Sequence, residues 1–197
     1  MPLRLVPVAA LILVGGLLAS CSSASPSSED AVLVFGDSLV NGGAATIASG
    51  LDGAGWDPVV DGRPGWSIGK WAGALGPVVD EVRPRIAVVV LGTNDCAPVC
   101  RDVAGGIDRI MATLTDAGAQ RVFWFNVQQR PDYPENPGRV NLELESATGR
   151  WSRLSIVDLD GTLGDRPELH TSDGVHFTDA GNLALTALIL ETVDAAR

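Results

Sequence analysis

Lysine is almost missing from this chain: Lys70 is the single one among 197 residues. No lysine-rich patch for anionic lipid can therefore exist. Acidic residues number 24 against 14 basic ones, a formal net charge of -10. Such a surface repels phosphate backbones and excludes nucleic acid as a partner. Aromatic residues are scarce at 5%, although half of them are tryptophan. Histidine occurs twice, at His170 and His176. Any chemistry that needs an imidazole thus has a binary choice. Cysteine occurs three times, at Cys21, Cys96 and Cys100. Cys96 and Cys100 are spaced Cys-x3-Cys, with no further Cys or His close by, which argues against a metal site.

No apolar run is long enough to span a membrane, which takes roughly 20 residues. The longest, Leu5 to Leu18, is interrupted by Pro7 and Gly15-Gly16 and preceded by Arg4. It reads as a targeting segment over residues 1–20. The segment ends in Leu18-Ala19-Ser20-Cys21, which resembles a bacterial lipobox whose cysteine is lipidated and becomes the mature N-terminus. The alternative is an ordinary secretory signal followed by a chance cysteine. Small residues before Cys21 and a Ser-rich stretch after it favour the lipobox. Residues 21–30 form a flexible tether without core-forming side chains. A lipid anchor on the outer face of the cytoplasmic membrane or in the envelope is expected. In an exported protein, the close pair Cys96 and Cys100 reads as a disulfide. Its loop is too short for a large entropic contribution, so its expected use is to stiffen the turn after Asn94.

One domain, residues 31–197, follows. Hydrophobic residues make up 46% of the chain, ample for a buried core. Apolar segments at 31–35, about 57–60, 86–91, 121–127 and 155–158 alternate with helix-compatible stretches at 39–52, 68–81, 102–117, 138–149 and 178–195. The run Ile86-Ala87-Val88-Val89-Val90-Leu91 suits a central parallel strand buried on both faces. This alternation predicts an α/β fold of three layers, doubly wound and flavodoxin-like, around a parallel sheet of about five strands. Thr178 is the expected N-cap of the last helix, with Leu183, Leu185, Leu188, Ile189 and Leu190 as its buried stripe. The polar, Pro-rich stretch from Gln128 to Gly138 follows the fourth strand. It lies at the carboxyl edge of the sheet, where open α/β folds bind ligands.

Three groups of residues carry chemistry. Gly36-Asp37-Ser38-Leu39 directly follows the first strand. A serine there can be a nucleophile, given an adjacent base, or simply a helix cap. Asp173-Gly174-Val175-His176 lies near the other end. This spacing lets the carboxylate accept from Nδ1–H and aim Nε2 at a serine. His170 has no acid at that spacing and reads as a loop residue at the pocket rim. Gly92-Thr93-Asn94-Asp95 follows the central strand. The Asn94 amide can aim an N–H at a developing oxyanion, while Thr93 and Asp95 brace the turn; a plain Asx turn is the structural alternative.

This pattern resembles the SGNH hydrolases, also called the GDSL esterase/lipase family, over nearly all of residues 31–190. Ser38, Asn94, Asp173 and His176 fit three of that family's four blocks, in chain order. The glycine block is less regular here. Within Asp61-Gly62-Arg63-Pro64-Gly65-Trp66, Gly65 fits best and Gly62 is the alternative. The resemblance implies a Ser38, Asp173, His176 triad. It also implies an oxyanion hole of the Ser38 N–H, the Gly65 N–H and the Asn94 side chain. The expected substrate is a small-molecule or glycan ester with a short acyl group, possibly O-acetyl on carbohydrate, with Trp66 available to stack on sugar rings. Acyl transfer to a sugar hydroxyl and ligand binding without catalysis are the competing readings. Neither a metal nor an organic cofactor is called for, and a monomer is expected.

Overall fold

A computed structural model describes residues 29–96, 102–129 and 137–197. Five parallel strands form one sheet: β1 (Ala31–Gly36), β2 (Asp57–Gly62), β3 (Ile86–Val90), β4 (Arg121–Phe125) and β5 (Leu154–Val157). Their order across the sheet is β2-β1-β3-β4-β5, the flavodoxin-like order. The helices are α1 (Ser38–Gly53), α2 (Ile68–Val82), α3 (Val103–Asp116), α4 (Pro137–Thr148) and α5 (Asp179–Asp194).

Why the apolar runs sit centrally follows from their side chains. Every residue of β1 and β3 is buried, because both faces of a parallel sheet are covered by crossover helices. Strand alternation then divides them. Val32, Val34, Ile86, Val88 and Val90 join Leu185, Ile189 and Val193 of α5 and Ile47 and Leu51 of α1 in one apolar layer. Leu33, Phe35, Ala87 and Val89 join residues of α2, α3 and α4 in the other. At the edge, β2 is partly exposed and carries Pro58, as an edge strand tolerates. Two buried indoles satisfy carbonyls where the sheet gives way to loops. Trp71 Nε1 donates to Gly36 O (3.0 Å) and Trp124 Nε1 to Leu91 O (3.1 Å).

The last helix departs from its expected stripe. Leu185, Ile189 and Val193 are buried, but Leu183 is 59% exposed. These three buried residues are four apart and form one line on the helix. Leu183 falls outside it, and Leu188 and Leu190 are only partly buried. Thr178 does cap the helix, its side chain accepting from Gly181 N. Strand β4 stops at Phe125 rather than at 127. There Asn141 takes over from the sheet, its side chain bonding both Val127 N (2.7 Å) and Val127 O (2.8 Å).

Among the described residues no helix is long and apolar enough to cross a membrane. The targeting segment, the tether to residue 28, Cys21 and Cys100 lie outside the described residues. Cys96 itself is buried, at 5% exposure.

Candidate active site

The site forms where β1 and β3 diverge at the carboxyl edge of the sheet. A Cβ on Gly36 would collide with the Val90 carbonyl oxygen, so glycine is needed for the two strand ends to approach. Asp37 follows, fully buried. It caps α1, with Oδ1 accepting from Leu39 N at 3.0 Å. Ser38 is thereby fixed as the first residue of α1, half-buried at the helix N-terminus. The capping role that Ser38 was able to fill belongs to Asp37.

A second loop brings the partner. His170 and Phe177 form an antiparallel bridge. Above it Thr171 N donates to His176 O (2.8 Å), and Gly174 N donates to Thr171 O (2.9 Å). Gly174 has φ +71, a left-handed conformation that favours glycine. The loop thus holds Asp173 and His176 on a short pinned turn. Asp173 Oδ2 accepts from His176 Nδ1–H at 2.7 Å. A carboxylate only accepts, so the proton resides on Nδ1 and Nε2 is the acceptor. Ser38 Oγ lies 2.9 Å from that Nε2. The three side chains form one continuous hydrogen-bonded chain.

Two carboxylates here respond to their surroundings in opposite directions. The His176 hydrogen bond holds Asp173 well below the usual carboxylate range, helped by Val175 N, His176 N and the Thr171 hydroxyl. Burial pushes Asp37 up from 3.8 to about 7, against the Leu39 N–H and Thr93 contacts that favour its charge. Nearby Asp95 raises it further and His176 lowers it.

Asn94 reaches the same place from the turn after β3. Its Nδ2 donates to Trp66 O (3.1 Å) and to Asp37 Oδ2 (3.3 Å). Both N–H groups are therefore engaged in this structure. Asp95 braces the turn as expected. Its carboxylate accepts from Ile68 N at 3.0 and 3.1 Å, tying α2 to the β3 loop.

The two glycine candidates occupy different settings. Gly62 closes β2, where a Cβ would strike the backbone of Val40 and Asn41. Gly65 is exposed, has φ +70 and open space around it. With Pro64 before it and Trp66 N donating to Arg63 O (3.1 Å), it occupies the third position of a type II turn. Trp66 is half-buried, edge-on to Trp71 with centroids 5.2 Å apart. The Arg63 guanidinium lies 4.4 Å from both rings, so packing already occupies part of the Trp66 surface.

His170 is not at a rim. It is 7% exposed, with Nδ1 at 3.0 Å from Arg166 O and Nε2 at 3.0 Å from Gln128 Oε1. A narrow cavity lies at this edge of the sheet, among the chain neighbours of Ser38, Asn94 and His176. Leu39, Val90, Phe125, Leu159, Val175 and Gln128 are among its lining residues. Its volume is about 20 Å³, which suits only a small group. Asp37 escaped sequence reasoning as a site residue, and Gln128 was anticipated only as the first residue of the Pro-rich stretch at the ligand-binding edge. The first had a usable signal, an Asp directly before a helix start. Among the described residues, no cluster of three or more His, Cys, Asp or Glu could hold a metal ion.

A parallel α/β sheet with Ser, His and Asp linked at its carboxyl edge defines a serine-type ester hydrolase scaffold. Residues 34–184 match the model of the GDSL-like Lipase/Acylhydrolase family, and the chain belongs to that family. The O-acetyltransferase OatA of Staphylococcus aureus is 30% identical over 107 residues, 54% of this chain. That match spans only 16% of the relative's length. Among solved structures, a GDSL-like lipase from Bacteroides thetaiotaomicron aligns with TM-score 0.70 at 21% identity, covering 88% of this chain and 93% of that one. The catalytic domain of a peptidoglycan O-acetyltransferase from Streptococcus pneumoniae aligns with TM-score 0.67 at 16% identity, covering 85% and 94%.

Proposed function

We propose that this chain hydrolyses short-chain carboxylic esters outside the cytoplasm through an acyl-enzyme on Ser38. The observation that carries it is the unbroken contact from Asp173 through His176 to Ser38 Oγ. With Nδ1–H held by Asp173, His176 Nε2 accepts the serine proton as Oγ attacks the ester carbonyl. The tetrahedral oxyanion is met by the Ser38 N–H, the Gly65 N–H and one Asn94 N–H. Asn94 must exchange one of its present acceptors for the oxyanion, and the 3.3 Å contact to Asp37 is the longer. His176 then returns the proton to the leaving alcohol, and water repeats the sequence on the acyl-enzyme.

The small cavity at the carboxyl edge of the sheet favours short acyl groups. O-acetyl groups on envelope carbohydrate fit that size, and they fit the lipobox-like Leu18-Ala19-Ser20-Cys21. A second reading, acyl transfer to a sugar hydroxyl, is favoured by the likeness to O-acetyltransferases. The protein would be a monomer held to the membrane by lipidated Cys21, with a Cys96–Cys100 disulfide near Asn94.

A fluorophosphonate probe and a series of p-nitrophenyl esters test the reading. Labelling lost in Ser38→Ala, with turnover falling steeply beyond four acyl carbons, is expected. Folded wild type that takes no label would show a binding protein instead. Preference for chains of eight carbons or more would overturn the short-acyl assignment. Faster loss of ester with sugar acceptors present, together with acylated sugar, would show transfer. Fatty-acid labelling in cells, lost in Cys21→Ala, tests the anchor.

A further inference from the structure

The cavity is lined by apolar side chains such as Leu39, Val90 and Phe125 together with the polar residues Thr93, Asn126 and Gln128, and the last of these is anomalous. Gln128 lines it and is only 8% exposed. Its Nε2 is buried without a hydrogen-bond partner among the described residues. Buried amide groups are normally paired, and leaving one unmet is costly. Leu39, Thr93, Gly174 and Val175 also line this space. They are the chain neighbours of Ser38, Asn94, Asp173 and His176, so the cavity lies against the segments that carry the reacting groups.

The orientation of Gln128 is fixed from behind. The Arg166 carbonyl only accepts, so His170 carries a proton on Nδ1. His170 Nε2 meets one end of the Gln128 amide at 3.0 Å. If Nε2 is protonated, it donates to Oε1, and the NH2 end of the amide is left without a partner. If Nε2 is bare, it accepts from the NH2 end, and the carbonyl oxygen is left over instead. Oxygen and nitrogen of an amide are assigned from just such networks. In both cases one amide position remains unmet. A hydroxyl both donates and accepts, so it satisfies either arrangement.

We infer that Gln128 is a specificity-determining residue, and that the cavity it lines takes a short acyl group carrying a hydroxyl. A two-carbon hydroxyacyl group fits the space better than an all-carbon chain of equal size. His170 is the positioning residue that holds the amide. This inference rests on the ester-hydrolase reading of Ser38.

Hydroxyacetyl and propionyl esters of one phenol are isosteric and provide the test, with the acetyl ester as reference. Each kcat/KM is divided by the rate of hydroxide-catalysed hydrolysis, which removes intrinsic reactivity. Wild type is expected to favour hydroxyacetyl over propionyl by about 5- to 100-fold, the factor for leaving one buried polar group unmet. Gln128→Met is expected to bring that ratio near or below one. His170→Gln is expected to lower it in part, and serves if Gln128→Met does not fold. A ratio near one in wild type, or one that neither variant moves, overturns the inference while Ser38-dependent acetyl hydrolysis still upholds the hydrolase reading. No Ser38-dependent hydrolysis of any of the three esters overturns both.

Discussion

Ser38 and His176 are 138 residues apart in sequence, yet Oγ and Nε2 lie 2.9 Å apart. Two separate devices produce that contact. Asp37 fixes the serine at the start of α1, and the His170–Phe177 bridge fixes the loop that carries the histidine. Neither device uses the reacting atoms themselves. Ser38→Ala and His176→Ala should therefore leave the fold intact. Each should lower ester turnover by about 10⁴-fold or more, because a triad member removed singly disables the unit. The double variant should be barely worse than either single one. Turnover of a p-nitrophenyl ester, with circular dichroism as the fold control, checks this. Additive losses would show that the two groups do not act together.

Asn94 differs, since the role proposed for it, donating to the oxyanion, is exerted on the transition state. Asn94→Ala should reduce kcat by about 10²–10³-fold, as for loss of one oxyanion donor. KM should change little. The same substitution frees Trp66 O and Asp37 Oδ2 of a partner, so a modest loss of stability accompanies it. Steady-state kinetics and a thermal melt separate the two effects. Unchanged kcat would remove Asn94 from the oxyanion hole.

What the sequence made legible is what neighbouring residues encode. Ser38 at a strand end, Asp173 three before His176, and the all-apolar β3 are each written in a few adjacent positions. The buried carboxyl of Asp37 was not legible, because the side chain that meets it, Asn94, arrives from a segment 57 positions away. His170 looked like a loop residue because its amide partner, Gln128, is 42 positions away. The exposure of Leu183 was hidden for another reason. Leucine and isoleucine are spread around α5 at 183, 185, 188, 189 and 190, so periodicity alone does not pick the buried line. Between β5 and α5, a π-helical turn at Asp160–Gly164 and a short 3-10 turn at Pro167–Leu169 follow from side-chain bonds such as Gly161 N to Asp158 Oδ1 (2.8 Å). Those bonds have no repeating pattern to read.

Asp37 makes stability depend on pH in a direction unusual for a carboxylate. Its folded value is raised to about 7 by burial, above the ordinary 3.8. Below pH 4 both folded and unfolded chains hold the proton. Between about 4 and 7 only the unfolded chain releases it, so this residue's contribution to stability falls as pH rises. The full effect is at most roughly 4 kcal/mol, at about 1.4 kcal/mol for each pH unit of difference. Asp37→Asn keeps an acceptor for Leu39 N and removes the titration. Its urea midpoint should therefore decline less than that of wild type between pH 4.5 and 8. Parallel declines would show that Asp37 ionises freely in the folded protein.

Gly62 and Gly65 provide a test of which glycine serves the backbone and which serves the site. A methyl on Gly62 would press into the backbone of Val40 and Asn41, atoms that cannot rotate aside. Overpacking of this kind costs about 1–3 kcal/mol or more. Gly65 has open space, and its φ of +70 makes alanine there cost only about 1–2 kcal/mol. Gly62→Ala should thus lower the melting temperature more than Gly65→Ala. Activity should follow the reverse order once protein is compared in the folded state. A residue at 65 that shifts the turn displaces the N–H proposed as an oxyanion donor, whereas Gly62 is held within β2 opposite Gly36. Melts at one pH, paired with kcat for the folded fraction, decide it. If Gly62→Ala melts like wild type and loses turnover while Gly65→Ala keeps it, the donor is Gly62.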